Sequence, residues 1–232
     1  MEENRVNMVL DKIPSVWVFG YGSLLWKPNF EYQSSKVGCI YGYTRRFWQG
    51  NTTHRGTSEF PGRVATLIEE EAGKVWGVAY EITSRALLET MGYLNNREKT
   101  LGGYTTIVID FFPREHGEDP IPVLLYIATQ DNEHYLGEDS IISMAKQVVY
   151  AKGNAGPNID YVTKMADYIR ENIPEDEDEH LFALDRKVRE IASHKKKNRK
   201  ISERCADLLY DHKDNSWLWT LEHFFTESVS AS

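Results

Sequence analysis

Val16-Trp17-Val18-Phe19-Gly20-Tyr21-Gly22-Ser23-Leu24-Leu25 is an apolar, β-branched and aromatic run that breaks at two glycines and then resumes. The pattern reads as a buried strand running straight into a tight turn. Gly20 and Gly22 can adopt positive φ and let a ligand approach the main chain. A helical turn starting at Ser23 would leave the N–H groups of Ser23, Leu24 and Leu25 unpaired, and such donors suit a carboxylate or a developing oxyanion. A dinucleotide fingerprint would need a third glycine where Leu25 stands, and no Gly-x-x-x-x-Gly-Lys-Ser/Thr loop follows. Ser23 also lacks the second glycine of a nucleophile elbow. A main-chain binding turn fits best, with an ordinary turn after a strand as the plainer alternative.

Outward from this stretch, Val37 to Tyr43, Arg63 to Ile68, Lys74 to Ile82, Thr105 to Phe112 and Val123 to Thr129 each combine β-branched or aromatic residues with Gly, Pro or charged breaks. With Val16 to Phe19 they make about six strands. Ser84 can cap a helix carrying Leu87, Leu88, Met91 and Leu94, with Asn95 and Asn96 ending it. Beyond residue 138 the apolar period lengthens to that of a helix. Ile141, Ile142, Ala145, Val148 and Val149 form one stripe, Val162, Met165, Ala166 and Ile169 a second, and Leu181, Leu184, Val188 and Ile191 a third. Strands first and helices afterwards predict an α+β fold, with a mixed or antiparallel sheet closed into a small barrel and covered by helices.

The 232 residues, 41% hydrophobic, can bury a substantial core. A net charge of −8 argues against nucleic acid or an anionic membrane as the main partner. The charged N-terminal stretch resembles neither a signal nor a transit peptide, and no apolar run approaches the roughly 18 to 20 residues of a membrane span. Cys39 and Cys205 show no metal or redox spacing, which predicts the reducing cytosol. The expected layout is a flexible segment over 1–14, a domain over 15–193, and a basic linker with an aromatic extension over 194–232. Glu175 to Glu179 reads as helix capping and solvation, Lys195 to Lys200 as a solvated linker. Trp217, Leu218, Trp219, Leu221, Phe224 and Phe225 are expected to pack back on the body or to mediate self-association.

Arg45-Arg46-Phe47-Trp48-Gln49-Gly50-Asn51-Thr52-Thr53-His54-Arg55-Gly56-Thr57 gathers three arginines and a histidine before Pro61-Gly62-Arg63. Arg forks suit carboxylates, and the stretch reads either as a loop able to cover a pocket or as a surface loop with Trp48 in the core. His54 as a general base would need an acidic partner that the sequence does not place. Glu98, between Arg97 and Lys99 and shortly before Gly102-Gly103-Tyr104, reads by default as an exposed charge at an element junction.

Taken together, Phe19-Gly20-Tyr21-Gly22-Ser23-Leu24, Arg45-Arg46-Phe47-Trp48-Gln49, His54-Arg55-Gly56-Thr57, Pro61-Gly62-Arg63-Val64, Val75-Trp76-Gly77-Val78-Ala79-Tyr80, Arg97-Glu98 with Gly102-Gly103-Tyr104, and Tyr135-Leu136-Gly137 resemble the ChaC family of glutathione-specific γ-glutamylcyclotransferases. The motifs run in family order from about Val16 to Ile191. The resemblance implies a small mixed β-barrel with surrounding helices and a cofactor-free, metal-free splitting of glutathione into 5-oxoproline and cysteinylglycine. It implies that Tyr21, Gly22, Ser23 and Leu24 hold the γ-glutamyl group through main-chain contacts, and that Glu98 is the catalytic acid and base. A carboxylate in that role is expected to be partly buried, with a raised pKa. Arg55 or Arg46 is expected to pair with a substrate carboxylate, and Tyr104 or Tyr161 to line the pocket.

The sequence departs from the family pattern at Gly153-Asn154-Ala155-Gly156-Pro157-Asn158, where a turn and a helix cap at Asn158 are expected to be kept. It departs again in the longer spacer Lys99-Thr100-Leu101, and in Ser193 to Ser232, which have no counterpart. Two other functions stay open: a non-catalytic γ-glutamyl-peptide sensor, and cyclotransfer on other γ-glutamyl amines.

Overall fold

A computed structural model of the chain describes residues 15–94 and 104–211. Five strands close into a barrel in the order β1 (Ser15–Gly20), β3 (Gly62–Thr83), β2 (Ser34–Asn51), β4 (Thr105–Pro113) and β5 (Ile121–Ile127). The neighbours are antiparallel except at the seam, where β1 and β5 run parallel with Trp17, Val18 and Phe19 opposite Val123, Leu124 and Leu125. Helix α1 (Ser84–Leu94) follows β3. After the barrel come α2 (Ile141–Tyr150), the short pair β6 (Lys152–Gly153) and β7 (Gly156–Pro157), α3 (Asn158–Asn172) and α4 (Glu179–Asp211). The fold is α+β, as expected.

Closure leaves no long edge, and helices over the outside bury both faces of several strands. Val18 and Phe19, successive residues of β1, are therefore both buried. Phe19 and Phe111 meet inside the barrel at 5.6 Å. Met144, Ala145, Val148 and Val149 of α2 and Val162, Met165, Ala166 and Ile169 of α3 are buried, so the helical stripes lie on the core as read except at Ile142, which is exposed, while Met144 takes a core position that the stripe left out.

Two expectations change in the β2–β3 ribbon. Arg63 to Ile68 and Lys74 to Ile82 belong to one 22-residue strand. The Glu69 to Ala72 break is an exposed excursion within it, across which the register jumps from Tyr43↔Glu69 to Tyr41↔Lys74. Arg45 to Asn51, read as loop, continues β2, leaving 52–61 as the connection. Arg45, Phe47 and Gln49 are buried while Arg46 and Trp48 are partly exposed, so the alternation of a strand is present, hidden by a charged residue on the inner side.

The acidic run does cap a helix: Asp178 Oδ1 accepts the Leu181 N–H at 2.8 Å at the start of α4. It also does something unforeseen. Arg45, buried at 2% exposure, gives Nη1 to Asp176 Oδ2 at 3.1 Å and to Asp178 Oδ2 at 2.8 Å. Lys195 to Lys200, read as linker, are helical and exposed within α4. Asn158 is the first residue of α3 rather than its cap. Its amide grips the main chain of Arg63 instead, accepting from N at 2.6 Å and donating to O at 2.8 Å. Glu98, Asn95, Asn96 and the aromatic segment from Trp217 to Phe225 lie outside the described residues.

Candidate active site

The turn after β1 is held from several sides. Ser23–Leu25 forms one turn of 3-10 helix, closed by Leu25 N–H to Gly22 O at 3.0 Å. Leu25 is therefore not one of the unpaired donors expected, whereas the Leu24 N–H has no acceptor among the described residues. Tyr80 Oη donates to Leu24 O at 2.7 Å, and Arg45 Nε donates to Tyr21 O at 3.1 Å. Neither turn glycine has positive φ: Gly22 sits at φ −115°, and Gly20 is not among the positive-φ residues. Glycine is required for closeness instead. A Cβ on Gly20 would lie 2.7 Å from Leu24 Cβ, and one on Gly22 would lie 3.0 Å from Tyr161 Oη.

A small cavity opens against this turn, lined by Tyr21, Gly22, Ser23, Leu24, Tyr104 and Tyr161 together with Phe19, Ala65 and Tyr126. Six residues expected at the site are thus brought together from the turn after β1, the residue before β4 and the first turn of α3. Phe19, Ala65 and Tyr126 were missed. They lie in runs without apolar/polar alternation, such as Val123-Leu124-Leu125-Tyr126-Ile127, so nothing in the sequence distinguishes a pocket wall from core.

Ala65 explains how the tyrosines are placed. The β2–β3 register slips between Arg46↔Thr66 and Gln49↔Val64, so Phe47 and Trp48 together oppose Ala65 in a bulge. The polar groups of the bulge go elsewhere: Phe47 N–H to His180 Nε2 at 3.3 Å, Phe47 O to Arg63 Nη1 at 3.0 Å, and Trp48 O to Leu136 N at 2.8 Å. Across the bulge, Ala65 N–H donates to Tyr161 Oη at 3.2 Å and Ala65 O accepts from Tyr104 Oη at 2.9 Å. A buried main-chain pair that finds no ladder partner must find others, and here both partners are phenols of the cavity. The Tyr161 ring is fixed further by edge contacts with Trp26 at 5.6 Å and Phe47 at 6.3 Å.

The two candidate arginines part company. Arg55 lies 5.9 Å over the Tyr161 ring, its Nη1 donating to Ala155 O at 3.0 Å and Pro157 O at 3.1 Å. The departure segment 153–158 thus anchors Arg55. Arg46 stacks on Trp48 and lines a separate open cleft of about 1390 Å³ with Arg45, His180 and Arg186. His54 meets the Thr53 hydroxyl through Nδ1 at 3.4 Å, and its carbonyl accepts from Ala155 N. Arg45 does not line the small cavity. It lies behind the turn, where burial works against its charge and Asp176 and Asp178 outweigh that cost, so it is held firmly protonated. Burial pushes the Asp176 carboxyl up against the pull of Arg45.

Chemically, the cavity offers main-chain groups, phenol donors and phenol acceptors within an apolar wall. That combination suits a small polar group held in one orientation.

A family description, ChaC-like protein, matches residues 16–191. The glutathione-specific γ-glutamylcyclotransferase 1 of Danio rerio is 51% identical over 171 residues, covering 74% of this chain and 87% of the relative. Its Homo sapiens counterpart is 44% identical over 170 residues, covering 73% and 77%. A crystal structure of a yeast γ-glutamyl cyclotransferase specific to glutathione superposes with a TM-score of 0.71 at 28% identity, covering 78% of this chain and 98% of the yeast one.

Proposed function

Because the chain belongs to the ChaC-like family, we propose that it is a glutathione-specific γ-glutamylcyclotransferase, a lyase that splits glutathione into 5-oxoproline and cysteinylglycine without a cofactor. The observation that carries the reading is the tyrosine-lined cavity against Gly22-Ser23-Leu24, to which two of the family motifs contribute Phe19, Tyr21 to Leu24 and Tyr104.

The chemistry needs no enzyme nucleophile. The α-amine of the γ-glutamyl group attacks its own γ-carbonyl carbon, forming the ring C–N bond as the carbonyl pair moves onto oxygen. When that pair returns, the bond to the cysteine nitrogen breaks. The α-ammonium loses two protons in becoming the ring N–H, and the departing nitrogen gains two in becoming the ammonium of cysteinylglycine, so the reaction balances without water. Holding the glutamyl chain folded makes the attack intramolecular, and well-aligned attack of this kind has effective molarities of about 10⁵ M or more. The Leu24 N–H, which has no acceptor among the described residues, stabilises the charge that develops on the attacked carbonyl oxygen. Glu98 carries protons from one nitrogen to the other, a role worth about 10² to 10⁴-fold. Tyr21, Gly22, Ser23 and Leu24 hold the γ-glutamyl group. Arg55 pairs with a substrate carboxylate, and Tyr104 and Tyr161 line the pocket. Arg46, on the separate cleft, is the weaker candidate for a carboxylate partner. The reaction is assigned to the cytosol. Among the described residues no helix is long and apolar enough to cross a membrane.

The test is the fate of oxygen. Turnover of glutathione in ¹⁸O-water is expected to release cysteinylglycine and 5-oxoproline in equal amounts, with no label in either at early times. Labelled glutamate would mean hydrolysis and would remove the cyclotransferase reading. A folded protein that binds glutathione without consuming it would leave the sensor reading in its place.

A further inference from the structure

Each main-chain carbonyl from Tyr21 to Leu24 is bonded. Gly22 O accepts from Leu25 N–H at 3.0 Å, Ser23 O from Lys27 N–H at 3.0 Å, and Leu24 O from the Tyr80 hydroxyl at 2.7 Å. Tyr21 O is held from outside the turn by a charged group, Arg45 Nε, at 3.1 Å. A peptide unit is planar, and this one is trans, so its C=O and N–H point in opposite directions. Fixing Tyr21 O therefore also fixes the Gly22 N–H, directed away from Arg45. That N–H has no acceptor among the described residues. Gly22 lines the cavity and Arg45 does not.

The anchor matters because a peptide followed by glycine turns over easily. Gly22 sits at φ −115° but can take either sign of φ, and glycine is required here for the approach to Tyr161 Oη. Arg45 is built to remove that freedom. Its guanidinium is a rigid planar fork, with Nη2 held on Trp76 O at 2.7 Å and Nη1 on Asp176 and Asp178 at 3.1 and 2.8 Å. Once those ends are fixed, the direction of the Nε–H follows. The carboxylates are fixed in turn, since Asp178 Oδ1 caps α4 through Leu181 N–H and Asp176 N–H donates to Ile173 O at 3.0 Å. We propose that Arg45 is a positioning residue for the cyclotransfer: from outside the cavity it locks the Tyr21–Gly22 peptide, keeping an N–H and not a carbonyl turned to the reacting group. This rests on the cyclotransferase reading and goes beyond it by giving a role to a residue that touches no substrate. A peptide turned over would set a carbonyl oxygen against the negative charge that develops during attack.

The test separates position from stability. Arg45→Lys keeps a cation for Asp176 and Asp178 but loses the fork, so one ammonium cannot also hold Tyr21 O in a fixed direction. Assayed well below its melting temperature, it is expected to lose about 10²-fold in kcat, with KM within about threefold of the wild type. If it fails to fold, Arg45→Gln combined with Asp176→Asn and Asp178→Asn leaves no unpaired charge buried and reads the same loss. Asp185→Asn is the stability control, removing a buried carboxylate from between Arg170 and Arg189. It is expected to lower the melting temperature while keeping kcat within about twofold. A second readout needs no turnover. In ligand-free protein labelled with ¹⁵N-glycine, the Gly22 amide resonance is expected to shift or to broaden by exchange on the μs–ms scale in Arg45→Lys, and to stay sharp in Asp185→Asn. Wild-type kcat in Arg45→Lys, a Gly22 resonance that neither shifts nor broadens there, or an equal loss of kcat in Asp185→Asn overturns the proposal. Failure of the wild-type protein to turn over glutathione would instead overturn the reaction reading, so the two failures are distinct.

Discussion

At Gly22 the side chain is missing because the Tyr161 hydroxyl takes its place, 3.0 Å from a Cβ built there. Gly22→Ala is predicted to push that hydroxyl by a few tenths of an ångström, lowering kcat/KM at least about tenfold with only a slight fall in melting temperature, since small misplacements near the chemistry are costly. Steady-state kinetics beside a thermal melt checks this; an unchanged kcat/KM would mean the contact has slack. His180 offers a pH test. Burial, aided by the nearby charge of Arg46, lowers its pKa to about 4 from an ordinary 6.5, and its Nε2 accepts the Phe47 N–H at 3.3 Å, which only the neutral ring can do. Between those pH values the unfolded chain binds a proton that the folded chain refuses. Stability from this group is therefore fully present above about pH 6.5 and falls as pH drops towards 4, by at most about 1.4 kcal/mol per pH unit. Urea midpoints from pH 7 to 4 should fall more steeply for the wild type than for His180→Gln; parallel curves would exclude the histidine as the cause.

Among elements, the turn after β1, strand β2 and the start of α4 are tied by one guanidinium. Arg45 bonds Tyr21 O, Trp76 O, Asp176 and Asp178, while Asp178 also caps α4. Arg45→Met is predicted to cost about 3 to 5 kcal/mol, because it leaves two carboxylates in a buried setting without their cation. Arg45→Lys, which restores charge without the fork, should recover part of that loss in urea unfolding. This tie also marks how far the sequence could be read. The strand and turn at Val16 to Leu25, the helical stripes after residue 138 and the family motifs were legible because apolar period and glycine spacing are local properties. Arg45 to Asn51 was not legible as strand, since the charge at its inner position is neutralised by residues more than 130 positions away. The bulge opposite Ala65 was hidden for the same reason. Its consequences are main-chain bonds to Tyr104 and Tyr161, and a sequence shows side chains without showing which main-chain groups lack partners. Tyr104 and Tyr161 were found through resemblance, Tyr126 and Ala65 not at all.

At the scale of the whole chain, contacts divide it into two compact units, Met1–Arg189 and Glu190–Ser232, and the ChaC-like match spans residues 16–191. The described residues that line the cavity belong to the first unit. Truncation after Ser193 is predicted to leave kcat/KM for glutathione within about twofold, since none of the described residues that line the cavity is removed. The removed segment contains Trp217, Trp219, Phe224 and Phe225, proposed to mediate self-association. If it does, sedimentation will show a larger species for the full chain than for the truncated one; identical masses would exclude that role. The central claim, glutathione cyclisation through Glu98, is tested most directly by cysteinylglycine release from glutathione by the purified full-length protein. The same assay is run with γ-glutamyl-alanine and with Glu98→Gln. The account predicts turnover of glutathione, little of γ-glutamyl-alanine, and loss of at least about 10²-fold in the folded variant. Turnover that survives Glu98→Gln, or a folded wild-type protein that leaves glutathione intact, would contradict it.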